Sequence, residues 1–243
     1  MKNTLDADFN AMPAGGALEK MLNPQRDRMF DAFMAFKGDS ETDSILEVSA
    51  RSALLDQNAG CLLSRSEAQQ RTHVVSCAIA APGDQSRHCA NPDNRQKYQR
   101  LDGRCLPFSD GEFDWVFCSE VIEHAGGFER QYELLKELNR VARKGVFVTT
   151  PNRWYPLEFN TAQWFAHWLP AAWWRRILKL SGRGAWAGES VLNLLDARAL
   201  QKLTSLLPGK PKGDVGHLRL FGVKAHFFLQ IRKAAGQEER TIP

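Results

Sequence analysis

Apolar residues in this chain fall into short runs separated by polar turns, and the runs alternate between two periods. The stretches SILEVS (44–49), HVVSCAI (73–79), FDWVFC (113–118) and GVFVTT (145–150) are continuous and rich in β-branched or aromatic residues. That is the pattern of strands buried on both faces. Residues 97–101 read as a further short strand. Between and after the strands, apolar residues recur three or four apart, the period of a helix with one buried side. The first such helix, 24–36, opens on Asn23 as a cap with Pro24 at its first position. Its Met29, Phe30, Phe33, Met34 and Phe36 are expected to pack on a sheet or to line a pocket. A second, 128–143, places Tyr132, Leu134, Leu135, Leu138, Val141 and Ala142 inward and leaves Glu133, Lys136, Glu137 and Arg140 solvated, with Lys144-Gly145 as its stop. Helices over 171–180 and 196–207 follow, the second starting near Asp196 and stopped by Pro208-Gly209. Segments 217–220 and 225–232 alternate about Phe221-Gly222 as a closing hairpin would.

Strands alternating with helices predict an α/β fold around a parallel sheet. A length of 243 residues suits one such domain with an insertion. The expected organisation is a loose lead-in over 1–22, a domain over 23–233 and a polar tail over 234–243. Residues 82–96, with two prolines and few apolar side chains, read as a loop where an α/β unit would place a helix. Residues 153–190 form a segment of distinct composition. Trp164, Trp168, Trp173, Trp174 and Trp186 stand there among Arg175, Arg176, Lys179 and Arg183. Within 171–180 the apolar side reads as Trp173, Ile177 and Leu180. Three roles are open for this insertion: a cover over an acceptor pocket, a face lying against a membrane, or a packed core of its own.

The net charge of +4 is mild and its positive residues are scattered among acids, which argues against a nucleic-acid partner. It tolerates an anionic acceptor or an anionic membrane surface. Five cysteines, an odd number without a CxxC pair, suit reduced thiols, with Cys77 and Cys118 as small buried residues in strands. His88-Cys89 is the one adjacent His/Cys pair, and no metal site is expected. The first residues lack a basic start followed by an apolar core, and no run approaches the length of a membrane span. A cytoplasmic location is expected, with peripheral contact at the inner membrane face through 164–186 as an option.

Candidate chemistry concentrates in 106–124, LPFSDGEFDWVFCSEVIEH. A Pro- and Gly-marked turn leads into the strand 113–118. At that strand's carboxyl end, where open α/β sheets bind ligands, stand Ser119, Glu120, Glu123 and His124.

The run Asp102-Gly103, Leu106-Pro107-Phe108, Asp110, Phe113-Asp114, Val121 to His124, Glu137-Leu138, Arg140-Val141 and Thr150-Pro151-Asn152 resembles the S-adenosylmethionine-dependent methyltransferases of the Rossmann-like class, in particular the ubiquinone and menaquinone group. The resemblance covers about a fifth of the chain. It implies a doubly wound, mostly parallel sheet with an antiparallel last strand, and S-adenosylmethionine as cofactor. It places the cofactor near Glu47, Ser49, Ala50 and Arg51 after the first strand, near Asp102 and Gly103, and near Ser119 and Glu120. His124 becomes the candidate base for a hydroxyl acceptor, with Glu123 or Glu120 orienting it or sharing the work. The acceptor class is a small or lipid-linked molecule. Where the family has glycines after the first strand, this chain has Ser49, Arg51 and Ala53. No acid ends the second strand to hold the ribose, unless Asp84 substitutes. A second reading follows: a methyltransferase-like fold kept as a noncatalytic binding or scaffold protein.

Overall fold

The computed structural model describes residues 17–40, 42–50, 74–79, 99–101, 105–189 and 191–233. In chain order its elements are helix α1 (Ala17–Lys37), strands β1 (Ile45–Ala50), β2 (Val74–Ile79), β3 (Gln99–Leu101) and β4 (Phe113–Ser119), and helix α2 (Phe128–Val141). Strands β5 (Ala142–Pro151), β6 (Leu157–Glu158) and β7 (Gln163–Trp164) follow, then helices α3 (Ala171–Leu180) and α4 (Ala197–Ser205), and strands β8 (Gly213–Leu220) and β9 (Val223–Arg232). Seven strands share one sheet in the order β3-β2-β1-β4-β5-β9-β8, and β6 and β7 form a separate two-stranded sheet. The pairings from β3 to β5 are parallel, and β9 is antiparallel to both β5 and β8. The expected antiparallel last strand is therefore β9. It lies one place in from the edge, and β8 outside it runs with the first five.

Both faces of the sheet are covered, as buried strands without polar alternation require. On one face Phe33 of α1 sits over Phe117 and Phe147, with ring centroids 4.9 and 5.6 Å apart, and Phe36 sits 5.3 Å from Trp115. On the other face Leu134, Leu135 and Leu138 of α2 and Leu200 and Leu203 of α4 join Val116, Val146 and Val148 in the main core. Asp196 caps α4, its side chain accepting from the Ala199 N–H.

Several expectations need correction. Helix α1 begins at Ala17, so Pro24 lies inside it rather than at its start. Its buried seam at Leu22, Gln25, Met29 and Phe33 carries the helix through Pro24 despite the donor that proline lacks. Helix α2 stops at Val141, and the strand already begins at Ala142, whose backbone is extended. Glu137 and Arg140 are not simply solvated. Arg140 donates to the carbonyls of Leu106 and Phe108 and to Asp110, while Glu137 accepts from the Leu106 N–H. Together they clamp the turn before β4 onto α2. Within α3 the buried side is Trp174 and Leu178; Trp173 and Leu180 face outward. One residue of offset decides this, because Trp173 and Trp174 fit either helix face equally well by composition. The β6–β7 ribbon carries no strand signal in the sequence, since two residues are too short for a period.

At the amino ends of the strands, Asp43 and Asp114 anchor a polar cluster. Asp43 accepts from Ser40 Oγ at 2.8 Å, Lys144 Nζ at 2.6 Å and Trp115 Nε1 at 2.7 Å. Asp114 accepts from Ser44 and from Arg143 Nη2 at 2.6 Å. Burial alone would raise Asp43, but its bonds to Lys144, Trp115 and Ser40 bring it down to about 2.

Candidate functional site

The carboxyl ends of β1, β4 and β5 lie side by side: Ser49 is in register with Ser119, and Ser119 with Thr149. Neighbouring residues along a strand point to opposite faces, so the edge carries two half-sites, one toward α1 and one toward α2.

Toward α1, Glu120 is the centre. It follows β4 in a left-handed conformation, φ 52°, where a side chain with a Cβ costs on the order of 1–2 kcal/mol. The carbonyl and hydroxyl oxygens of Thr149 hold it there, both accepting from the Glu120 N–H at 3.2 Å. Its carboxylate meets Arg26 of α1 at 3.1 Å and His226 Nε2 of β9 at 3.4 Å. Burial would raise this carboxyl, but the Arg26 charge and His226 hold it well below the usual carboxylate range. His226 is fully buried and stacks on Phe159 with ring centroids 5.0 Å apart.

Toward α2, the chain after Glu120 makes one turn of 3-10 helix, Ile122–His124. Glu123 is 1 % exposed and accepts from Thr150 Oγ1 at 3.0 Å, while its Oε1 has no partner. Burial, reinforced by the negative charge of Glu120, pushes Glu123 up to about 8. That favours the neutral carboxylic acid at pH 7. His124 Nδ1 lies 2.7 Å from the Val191 carbonyl. A carbonyl can only accept, so Nδ1 carries the proton and Nε2 presents its lone pair. Burial lowers the pKa of His124 and favours this neutral form. The Asn193 N–H donates to the Glu123 carbonyl at 2.7 Å, and Trp186 stands 6.1 Å from the His124 ring. Trp186 of the insertion and the residues that follow it thus close over this half-site.

The structure brings together Ser49, Ser119, Glu120, Glu123 and His124 of the expected residues. Glu47 lies two residues inward on β1, buried, and accepts from Ser76 Oγ at 2.6 Å. Ala50 ends β1. Arg51, Ala53, Asp84, Asp102 and Gly103 lie outside the described residues, as do Cys61, His88 and Cys89. Neither carboxylate orients His124; the Val191 carbonyl does. Reasoning from sequence missed Arg26 and His226, which reach Glu120 from 94 and 106 positions away and carry no local signal. Thr150 did carry one, as the first residue of Thr150-Pro151-Asn152. The Asn152 of that motif is a staple: its amide donates to the Lys224 carbonyl and its oxygen accepts from the Trp154 N–H.

Residues 59–149 match the family model described as a methyltransferase domain. The chain carries a methyltransferase domain. The cofactor of this methyltransferase is S-adenosylmethionine. Comparison with curated proteins finds no match. Among solved structures the methyltransferase is similar to the PH0226 protein of Pyrococcus horikoshii, with 11 % identity, TM-score 0.54, and 93 % of this chain and 98 % of that one covered. A candidate zinc-dependent alcohol dehydrogenase from Rhodobacter sphaeroides gives 11 % identity, TM-score 0.53, and 89 % and 97 % coverage. An S-adenosylmethionine-dependent methyltransferase from Archaeoglobus fulgidus gives 12 % identity, TM-score 0.50, and 88 % and 97 % coverage. These likenesses show the fold; the family match carries the chemistry.

The described edge fits the cofactor. Ser49 Oγ is buried at the end of β1 without a partner, and Glu123 Oε1 is open in the same way near β4. S-adenosylmethionine offers amino, carboxylate and ribose hydroxyl groups to such positions.

Proposed function

We propose that this methyltransferase acts on a hydroxyl of a small-molecule acceptor, with His124 as the general base. The bound cofactor would supply a methyl group already activated on a sulfonium, so the chain's own work is positioning and proton removal. The observation that carries the reading is the fixed tautomer of His124. Its Nδ1–H is spent on Val191, its ring is neutral, and Nε2 has no partner among the described residues. A hydroxyl hydrogen-bonded to Nε2 would lose its proton there as its oxygen takes the methyl group. Glu123, neutral at pH 7, is unsuited to act as a base and instead offers a donor. Glu120, paired with Arg26, keeps a fixed negative charge beside the site. Ser49, Ser119 and the Glu120 backbone are the described positions for holding the cofactor, and Arg51, Asp102 and Gly103 complete the set.

The missing glycines at Ser49, Arg51 and Ala53 favour the other reading, a scaffold without turnover. One titration separates the two. Calorimetry with S-adenosylhomocysteine is expected to show saturable binding in the micromolar range, about −8 kcal/mol. No heat at millimolar ligand would reject the enzyme and leave the scaffold.

A further inference from the structure

The insertion holds a surface that neither the cofactor site nor the core explains. Its apolar interior is packed: Trp174, Leu178 and Ala187 form a small core with Leu192 and Leu194, which follow the segment. Its exterior is not. Of the ten large hydrophobic side chains exposed among the described residues, six lie between positions 164 and 180: Trp164, Phe165, Trp168, Leu169, Trp173 and Leu180. Trp173 is 68 % and Leu180 79 % exposed. They stand seven residues apart on α3, two helical turns, and so share one flank of its outward side. Arg176 lies between them and Lys179 beside Leu180, both exposed. Trp164, Phe165 and Trp168 form a second group, with ring centroids 6.0 and 4.9 Å apart in sequence. Phe165 takes a left-handed backbone, φ 57°, and so does Ala162 at φ 52°. Non-glycine residues in that region cost free energy, and such strain collects at functional sites. Here it accompanies an aromatic side chain left half in solvent.

Charge selects the occupant. Residues 159–188 contain Arg175, Arg176, Lys179 and Arg183 and not one Asp or Glu. The other 28 Lys and Arg equal the 28 Asp and Glu of the whole chain, so these four account for its entire net charge of +4. Arg175 is the exception within the group, turned to Glu189 at 3.6 Å. Tryptophan prefers the interface between headgroups and acyl chains, and flanking cations are drawn to acidic lipids. Leucine in such a patch has no stacking partner to find on a nucleic acid, which would be gripped by aromatics and arginines alone.

We infer that the outer face of the insertion docks on an anionic lipid bilayer, with Trp173, Leu180 and the Trp164–Trp168 group entering the interface and Arg176, Lys179 and Arg183 meeting the headgroups. The chain that leaves this segment carries Val191 and Asn193, which hold His124 and Glu123. On the reading of the site proposed above, the bilayer would then supply an amphiphilic hydroxyl acceptor to the base.

The test is flotation of the full chain with vesicles of phosphatidylcholine, with and without a one-third share of phosphatidylglycerol. The wild type should float with the anionic vesicles and remain behind with the neutral ones. Arg176→Glu with Lys179→Glu should remove that preference, since each charge near an anionic surface is worth roughly a fivefold change in partitioning. Trp173→Ser with Leu180→Ser should weaken flotation at least tenfold. All of these residues are exposed, so melting temperature and S-adenosylhomocysteine binding should stay at wild-type values. A wild type that ignores anionic vesicles, floats equally with neutral ones, or floats unchanged in both variants overturns the inference. So does capture by single-stranded RNA in the absence of vesicle binding. Flotation without cofactor binding would instead sink the catalytic reading and leave this one standing.

Discussion

The two ends of the central sheet use the same residue types to opposite effect. At the amino end, Asp43 and Asp114 are both buried, both ionised and both fully paired, with Lys144 reaching each of them at 2.6 and 3.2 Å. At the carboxyl end, Glu120 and Glu123 are three residues apart and differ in charge state: one is held ionised by Arg26, the other is pushed up to about 8. No oxygen of Asp43 or Asp114 is left without a partner, whereas Ser49 Oγ, Glu123 Oε1 and the His226 Nδ1 are. Buried polar groups normally find partners. A carboxylate pair that spends every oxygen is built for stability, and a strand end that keeps several polar atoms open is built to meet something else.

The sharpest way to break that contrast is to remove His124. His124→Ala should lower methyl transfer by roughly 10²–10⁴-fold, the usual worth of a general base, while S-adenosylhomocysteine binding holds. Equal activity in wild type and variant would move the base elsewhere. At the other end, Asp43→Ala strips the buried Trp115 Nε1 of its acceptor. Chemical denaturation should show a loss of about 1–3 kcal/mol, with activity per folded molecule unchanged. A loss of activity without a loss of stability would erase the division of labour between the two ends.

Glu123 gives the finest test. Its folded pKa is raised, so the folded chain holds a proton that the unfolded chain has released. Its contribution is fully present below the ordinary carboxylate pKa and is lost as pH rises through about 8. Thermal melts from about pH 5 to about pH 9 should therefore show wild-type stability falling relative to Glu123→Gln, by at most roughly 1.4 kcal/mol per pH unit. Parallel curves would show that Glu123 is ionised in the folded state and that the two carboxyl groups at this end are alike. The amino end should behave in the opposite sense: Asp43 stabilises above its unfolded pKa, and that contribution fades as pH falls toward about 2.

Much of the architecture was legible because it rests on local periods. The continuous apolar runs are β1, β2 and β4 to within a residue and β5 to within three, 171–180 is helix α3 to the residue, and Asp196 caps α4. The motif run from Asp102 to Asn152 pointed to the family, and Ser119, Glu120, Glu123 and His124 are at the strand end where they were expected. What the run did not reveal is the division of roles inside it. Asp110, Glu137, Arg140 and Asn152 are braces, while Thr150 joins the site.

The sequence by itself determined which segments form the parallel strands, that Ser119, Glu120, Glu123 and His124 gather at the carboxyl end of β4, and that the Trp-rich segment has a character of its own. Only the tertiary structure decided that Arg26 and His226 hold Glu120 ionised, that Glu123 is left protonated, that Val191 fixes the His124 tautomer, and that Trp173 rather than Trp174 meets solvent. The physical reason is range. Strand and helix periods are set by neighbours within a turn or a pleat. Charge state, tautomer and exposure are set by burial and by partners that the chain brings in from tens to a hundred residues away.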